Sequence, residues 1–262
     1  MSSARNALGW CRTSVLDPLL ATVFPPRCVG CGRFETYLCD ECRAALVPVG
    51  PEVCRRCGHP GVGSGGPGWC AACVGEEPTY RSARSVFLHE GPARRLVSCF
   101  KYDGLRVLGR LLAELAAAEF DALVGEYGAV AITWVPSHAS TSRSRGYNQA
   151  EVLACCLAQS VGAPPPVRLA TKTRRTGHQR GLDREGRSRN LTGAFAPSPD
   201  VESSAHVCDA LARSEGVVLV DDVFTTGATV AEVTRVITGA TGLPVDVFTF
   251  GRTPAGFPQR AD

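Results

Sequence analysis

Eight of the thirteen cysteines fall in four pairs, each with two residues between: Cys28/Cys31, Cys39/Cys42, Cys54/Cys57 and Cys70/Cys73. Two thiolates at that spacing sit on one tight knuckle, and two knuckles complete a tetrahedral zinc site. Gly32 and Gly58, each directly after a pair, suit the turn. Eight thiolates imply two zinc ions. Full thiolate coordination leaves no open position for water, so the role read here is structural. Sequential pairing gives one ion Cys28, Cys31, Cys39 and Cys42 and the other Cys54, Cys57, Cys70 and Cys73. A cross-braced pairing uses the same knuckles and stays open. The other chemistry-bearing stretch is residues 216–229, GVVLVDDVFTTGAT. Asp221 and Asp222 end an apolar run, and Thr225, Thr226, Gly227, Ala228 and Thr229 follow. A carboxylate pair beside a small, hydroxyl-rich loop fits a ligand carrying both hydroxyls and a phosphate.

The elements that must position these groups are legible around them. Residues 217–220 form a continuous aliphatic run, as in a central parallel strand covered on both faces. Ligands of open α/β sheets bind outside the carboxyl ends of the strands. Val230, Val233, Val236 and Ile237 then repeat at helical spacing, so the threonine loop opens a helix whose leading N–H groups and dipole favour a phosphate. A Walker-type loop fits less well, because its Gly-Lys-Ser/Thr is absent. Residues 85–89 and 245–250 read as further strands, and residues from Arg252 onward as a tail. Leu105, Leu108, Leu111, Leu112 and Leu115 mark a helical core face. Just before that helix, Lys101 either faces an anion or is a solvated lysine at a helix start. Residues 130–135 form another buried-type strand, ended by Pro136. The loop of residues 137–149, SHASTSRSRGYNQ, follows it, with Arg145 and Gly146 as candidate anion ligands before a helix carrying Ala150, Leu153, Ala154, Leu157 and Val161.

Residues 168–190 hold eight Lys/Arg against two acids. With glycines at 177, 181 and 186, this run suits an adjustable lid over a diphosphate, a nucleic-acid patch or a solvated surface. Residues 61–68 read as a glycine-rich flexible tip, and residues 196–209 as a surface loop. The remaining cysteines, Cys11, Cys99, Cys155, Cys156 and Cys208, show no pair spacing and read as small buried residues. His59, His89, His138 and His206 carry no spacing signal. A net charge of +3 over 262 residues argues for no polyanion partner by itself, and 44% hydrophobic content indicates a soluble globular chain. No apolar run approaches the about 20 residues of a membrane span. Clustered thiolates point to the reducing cytoplasm.

Acids after an apolar strand followed by TTGAT resemble the phosphoribosyl diphosphate (PRPP) signature of type I phosphoribosyltransferases. That resemblance assigns the ribose hydroxyls to Asp221 and Asp222 and the 5-phosphate to Thr225, Thr226, Gly227, Ala228 and Thr229, with Mg²⁺ accompanying the PRPP. The order of motifs, from cysteine knuckles through Lys-Tyr-x-Gly, a strand ending Val-Pro, Arg-Gly-Tyr-Asn-Gln, Thr-x-x-Gln and Arg-x-x-Asn to VLVDDVFTTGAT, resembles the bacterial ComF family over nearly the whole chain. It implies an α/β fold: a type I phosphoribosyltransferase-like parallel sheet with flanking helices, preceded by a small cysteine-rich double zinc ribbon. The expected divisions are an N-terminal helical cap at 1–24, the ribbon at 25–75 and the phosphoribosyltransferase-like domain at 80–262. The resemblance places the diphosphate on the loop of Arg145 and Gly146, and implies a part in DNA uptake with single-stranded DNA and other competence proteins as partners. Two functions stay open: a binder of PRPP or a related phosphoribosyl ligand acting in transformation, and an active transferase joining PRPP to a base or amine. Relatives acting on 6-oxopurines carry an acid where this chain has Thr225, which weakens purine salvage. No residue is singled out as the catalyst.

Overall fold

The computed structural model describes residues 25–61, 68–75, 77–102, 105–174 and 190–253, the side chain of Ser144 excepted. The α/β class holds. A four-stranded, fully parallel sheet has the order β1 (Ser82–Leu88), β6 (Val245–Arg252), β5 (Gly216–Phe224), β2 (Val130–Trp134). Val217, Val218, Leu219 and Val220 are wholly buried because β5 is central in the sheet and helices cover it. The strand runs two residues past Asp222, so both acids are still held by the ladder when they reach its carboxyl edge.

Helices α3 (Gly91–Tyr102), α4 (Leu108–Val124), α6 (Gln149–Ser160) and α9 (Ala228–Thr241) pack around this sheet. In α4 the buried stripe is Leu108, Leu112, Ala116, Phe120 and Leu123, while Leu111 and Leu115 are only half-buried. The helical repeat of about 3.6 residues carries the stripe through the alanines rather than through every leucine. Phe120 meets Phe248 of β6 edge-on at 5.0 Å, which seats α4 on the sheet. The helices α6 and α9 bury the faces expected of them, save that Val161, just past the end of α6, is half-buried.

Several local expectations are corrected. Strand β1 begins at Ser82, ahead of residue 85, because it pairs with β6 along its length. Residues 137–149 are not all loop: α5 (Ala139–Arg145) is helical, started by His138, whose side chain accepts from the Ser140 N–H, and ended by Gly146 at φ +80. Residues 196–209 are not a loop either. They hold β4 (Phe195–Pro197), the turn α7 (Asp200–Ser203) and α8 (Ala205–Ala212), which buries Val207. The alanines of AHVCDALA favour helix once the prolines have passed. Arg252 is no tail residue but the last residue of β6, with 4% of its surface exposed. Of the cysteines outside the four Cys-x-x-Cys spacings, expected to be small buried residues, Cys156 is buried, Cys99 and Cys155 are half-buried and Cys208 is exposed.

Strand β3 (Ala170–Lys172) pairs antiparallel with β4, closing the basic segment at its base. Residues 175–189 of that segment, with Thr176, Gln179 and Arg187, lie outside the described residues, as do the cap of residues 1–24, Cys11, residues 62–67 and residues 254–262. On the amino-terminal side, short helices α1 (Asp40–Ala44) and α2 (Ala71–Gly75) begin directly after Cys39 and Cys70 and carry Cys42 and Cys73. The segment between the two halves joins β1 through the Pro48 and Phe87 bridge and the bonds Val49 N–H to Val86 O at 2.9 Å and Leu88 N–H to Val47 O at 2.8 Å. It thereby extends the parallel sheet at its edge. Among the described residues, no helix is long and apolar enough to cross a membrane.

Candidate functional site

The eight paired cysteines gather into two groups, Cys28, Cys31, Cys39, Cys42 and Cys54, Cys57, Cys70, Cys73, in each of which all four sulfurs lie within 4.8 Å of one another. The grouping is sequential, not cross-braced. Sulfur separations are 3.7 Å for Cys28 to Cys39 and for Cys31 to Cys39, and 3.6 Å for Cys57 to Cys70. A tetrahedron with Zn–S bonds of about 2.3 Å has edges of about 3.8 Å, whereas a disulfide needs about 2.05 Å. The donor sets therefore fit zinc. Backbone N–H groups point at the sulfurs, Cys39 N to Cys28 Sγ at 3.4 Å and Cys70 N to Cys54 Sγ at 3.3 Å, as thiolates on a knuckle require. Gly32 and Gly58, at φ +79 and +69, make the turns after their pairs.

The second site lies at the carboxyl edge of the sheet. Neighbouring residues of a strand point to opposite faces, so Asp221 and Asp222 face different partners. Asp222 is buried and takes the Lys101 ammonium at 2.7 Å, delivered by the carboxyl end of α3. Lys101 thus faces an anion that belongs to the protein itself. Burial alone pushes its pKa down, but the charge and hydrogen bond of Asp222, with Asp221 behind, leave it raised. The Asp221 carboxyl is pushed up to about 7, first by burial and then by the charge of Asp222; Lys101 and Lys172 act against this. Its Oδ1 accepts from the Asp222 N–H at 2.9 Å. Lys172, at the end of β3, is lowered by burial and by Arg174 against the pull of Asp221. His89, directly after β1, is pushed down to about 4 by burial and by Lys101.

Beyond Phe224 the chain turns through Thr225, Thr226 and Gly227 into α9. Gly227 is the N-cap of α9 at φ +81, and a Cβ there would come within 2.7 Å of the Phe224 ring, so only glycine fits. A glycine cap offers no side chain to the leading N–H groups of the helix. The Thr226 hydroxyl accepts from Ala228 N–H at 3.5 Å; Thr225 is exposed and Thr226, Ala228 and Thr229 are half-buried. This loop and the acids share one edge. Arg145 approaches the same corner from α5: it donates to Gln149 Oε1 at 3.2 Å, Gln149 donates to the Lys101 carbonyl at 3.4 Å, and its guanidinium stands 5.0 Å from the ring of Tyr102. The Gly146 carbonyl is held by Arg106. Lys101 is therefore the hinge between the two expected halves of the cradle.

Lys172 and His89 were not readable as part of this corner. Lys172 ends β3 and His89 follows β1, and only the assembled fold shows that these positions converge. The sequence signal for Lys101, a lysine before a glycine turn, was present but did not name its partner.

Comparison with known proteins bears on the cysteine groups and on the chain as a whole. Residues 19–74 match the double zinc ribbon domain family. The chain is similar to the DNA utilization protein YhgH of Salmonella typhimurium, 29% identical over 219 residues, covering 82% of this chain and 90% of that protein. It is also similar to Competence protein F of Haemophilus influenzae, at 27% over 78% of this chain and 92% of that protein. Competence protein ComFC of Streptococcus pneumoniae matches at 24% over 83% and 89%. The resemblance to the ComF family holds over most of the chain. The two cysteine groups lie within the residues matched to the double zinc ribbon, ahead of the sheet that ends in Asp221 and Asp222.

Proposed function

We propose that this chain binds PRPP, or a related phosphoribosyl ligand, at the carboxyl edge of the sheet and acts in DNA uptake by handling single-stranded DNA in the cytoplasm. The observation that carries the binding half is the juxtaposition of two acids, one of them held by Lys101, with a glycine-capped helix start on the same strand-to-helix turn. Asp221 and Asp222 accept from the ribose hydroxyls, the N–H groups following Gly227 and the threonine hydroxyls receive the 5-phosphate, and Arg145 meets the diphosphate. Carboxylate oxygens suit Mg²⁺, which would offset diphosphate charge when bound with the ligand. Asp222 already has a cation, so Asp221 is the freer acceptor. Two structural zinc ions are assigned to the cysteine groups. Calorimetry with PRPP·Mg²⁺ tests the cradle: the intact chain gives saturable heat, and Asp221→Ala/Asp222→Ala gives none. Equal heats for both would reject the assignment.

Support for the nucleic-acid half comes from the relatives named for competence and DNA utilization and from the ribbon surface. Trp69 is exposed with Arg56 at 3.7 Å from its ring, and exposed Phe34 lies under Arg27 at 4.1 Å. Arginine beside an exposed aromatic offers a base both a stacking face and a phosphate contact. Affinity for an oligonucleotide falls as salt rises, and Trp69→Ala weakens it further. Transferase activity is the second reading: exposed Thr225 counts against a 6-oxopurine acceptor only and leaves other bases or amines open. Diphosphate release with any base of a panel would favour it.

A further inference from the structure

The second cysteine group is joined to the cradle by one side chain. Arg252 ends β6, is 4% exposed, and runs back to the ribbon, where it donates to the Cys57 carbonyl at 2.5 Å and reaches Cys57 Sγ at 3.8 Å. The same guanidinium lies 4.4 Å from the centre of the Phe224 ring. Phe224 in turn meets Tyr80 edge-on at 6.1 Å and presses on Gly227, where no Cβ would fit. The path Cys57, Arg252, Phe224, Gly227 is thus continuous from a metal-type knuckle to the N-cap of α9. The backbone repeats the tie: Arg252 is the register partner of Phe224, and Thr253 N–H donates to the Phe224 carbonyl at 3.0 Å.

Charge explains why a guanidinium can sit there. A buried arginine stays ionised and needs a counter-charge. Among the described residues no carboxylate pairs with Arg252, and its Nε has no partner. Four thiolates around one divalent cation leave an excess negative charge, and Cys57 presents it directly to Arg252. Without the ion the knuckle that presents the Cys57 carbonyl and sulfur loses its cross-link, and Arg252 loses the fixed acceptor it reaches. The first group is tied differently: Arg95 of α3 donates to the Gly30 carbonyl inside its first knuckle, but Arg95 is exposed and leads to α3, not to the Thr225-to-Thr229 loop, and Arg33 beside it pairs with Glu41 at the surface.

We propose that Arg252 is a positioning residue that couples metal occupancy of the Cys54, Cys57, Cys70, Cys73 site to the order of the Thr225-to-Thr229 loop, and that the first cysteine group exerts no such control. The consequence for ligand affinity rests on the PRPP reading above; the consequence for loop order does not.

The test uses the full-length, zinc-loaded chain. In Arg252→Met, amide exchange over residues 225–230 rises on the order of tenfold, the scale of one charged hydrogen bond with a cation–π contact, and a chelator strips the second zinc faster. Arg252→Lys, which keeps the charge and a donor for the Cys57 carbonyl, restores slow zinc release but only part of the loop protection. Cys31→Ser, which disables the first site, leaves exchange in the loop unchanged. A second measurement needs no variant. The wild-type chain is titrated with chelator, alkylation of the two cysteine groups reports which ion has left, and loop exchange rises in step with the second group only. Unchanged loop exchange in zinc-retaining Arg252→Met, or loop exchange that follows the first group, would overturn the proposal. A wild type that binds no PRPP·Mg²⁺ refutes the cradle reading, while the exchange data still decide the coupling.

Discussion

The two cysteine groups have the same ligands at similar spacing, but the protein attaches them differently. In the first, Cys31 is exposed and Cys42 half-buried, and the nearby ion pair of Arg33 with Glu41 is open to solvent. In the second, Cys54, Cys57 and Cys73 are buried, Ala83 of β1 donates its N–H to the Arg56 carbonyl at 2.6 Å, and Arg252 reaches in from β6. Knuckle chemistry sets the ligands. Burial and the sheet edge decide whether the site is an appendage or part of the core. The difference teaches that the first ribbon is held at its surface, by exposed Arg95 of α3 on the Gly30 carbonyl, while the second is built into the sheet domain through buried Arg252.

The largest expected effect breaks this contrast at its root. Cys57→Ser removes a ligand and the sulfur that Arg252 approaches, leaving its carbonyl acceptor in place, so one zinc of two is lost; structural zinc supplies folding free energy on the order of 10 kcal/mol in zinc-finger peptides. Thermal melting of the whole chain should fall steeply, whereas Cys31→Ser, also losing one zinc by metal analysis, leaves the melting of the sheet domain nearly in place. Equal losses would erase the distinction.

Next in size is the cradle's own buried pair. Lys101→Met leaves Asp222 without its cation, a change worth ~3–5 kcal/mol for a buried pair, or about 10 °C in a chain of this size by calorimetry. Lys101 is 25% exposed on its side chain, so the lower end is expected.

A subtler effect separates the two acids. The Asp221 carboxyl titrates at about 7 in the fold and near about 4 in an unfolded chain. The fold therefore holds this proton more tightly, and the stabilisation is fully present below pH about 4 and lost as pH rises through about 7. Asp221→Asn should melt higher than wild type at pH 8, with the gain vanishing toward pH 4. Ligand affinity should move oppositely in the wild type, strengthening as Asp221 ionises across neutral pH. The smallest effect is on the first ribbon's surface: Arg33→Ala breaks an exposed pair and should leave the melting midpoint unmoved.

What was legible in the sequence was what is local along the chain. Cys-x-x-Cys spacing dictates a knuckle wherever it occurs, and the run from Val217 through Asp222 to Gly227 is one uninterrupted strand, turn and helix start. The helix Ala139–Arg145 was hidden by its serines, which favour loops until His138 caps them. Contacts between distant segments left no periodic signal. Lys101 meeting Asp222, Lys172 approaching Asp221, and Arg252 reaching a cysteine 195 residues away all depend on which distant segments the assembled fold brings together.

The most direct test of the cradle is a ³¹P NMR titration of PRPP·Mg²⁺, because the 5-phosphate and diphosphate resonances report separately on the α9 turn and on the Arg145 corner. With the wild-type chain both should shift, and Arg145→Ala should suppress only the diphosphate response. The Asp221→Ala/Asp222→Ala chain should leave both at their free positions. Resonances unmoved by the wild type, or moved equally by the double variant, would contradict the assignment of this edge as a phosphoribosyl site.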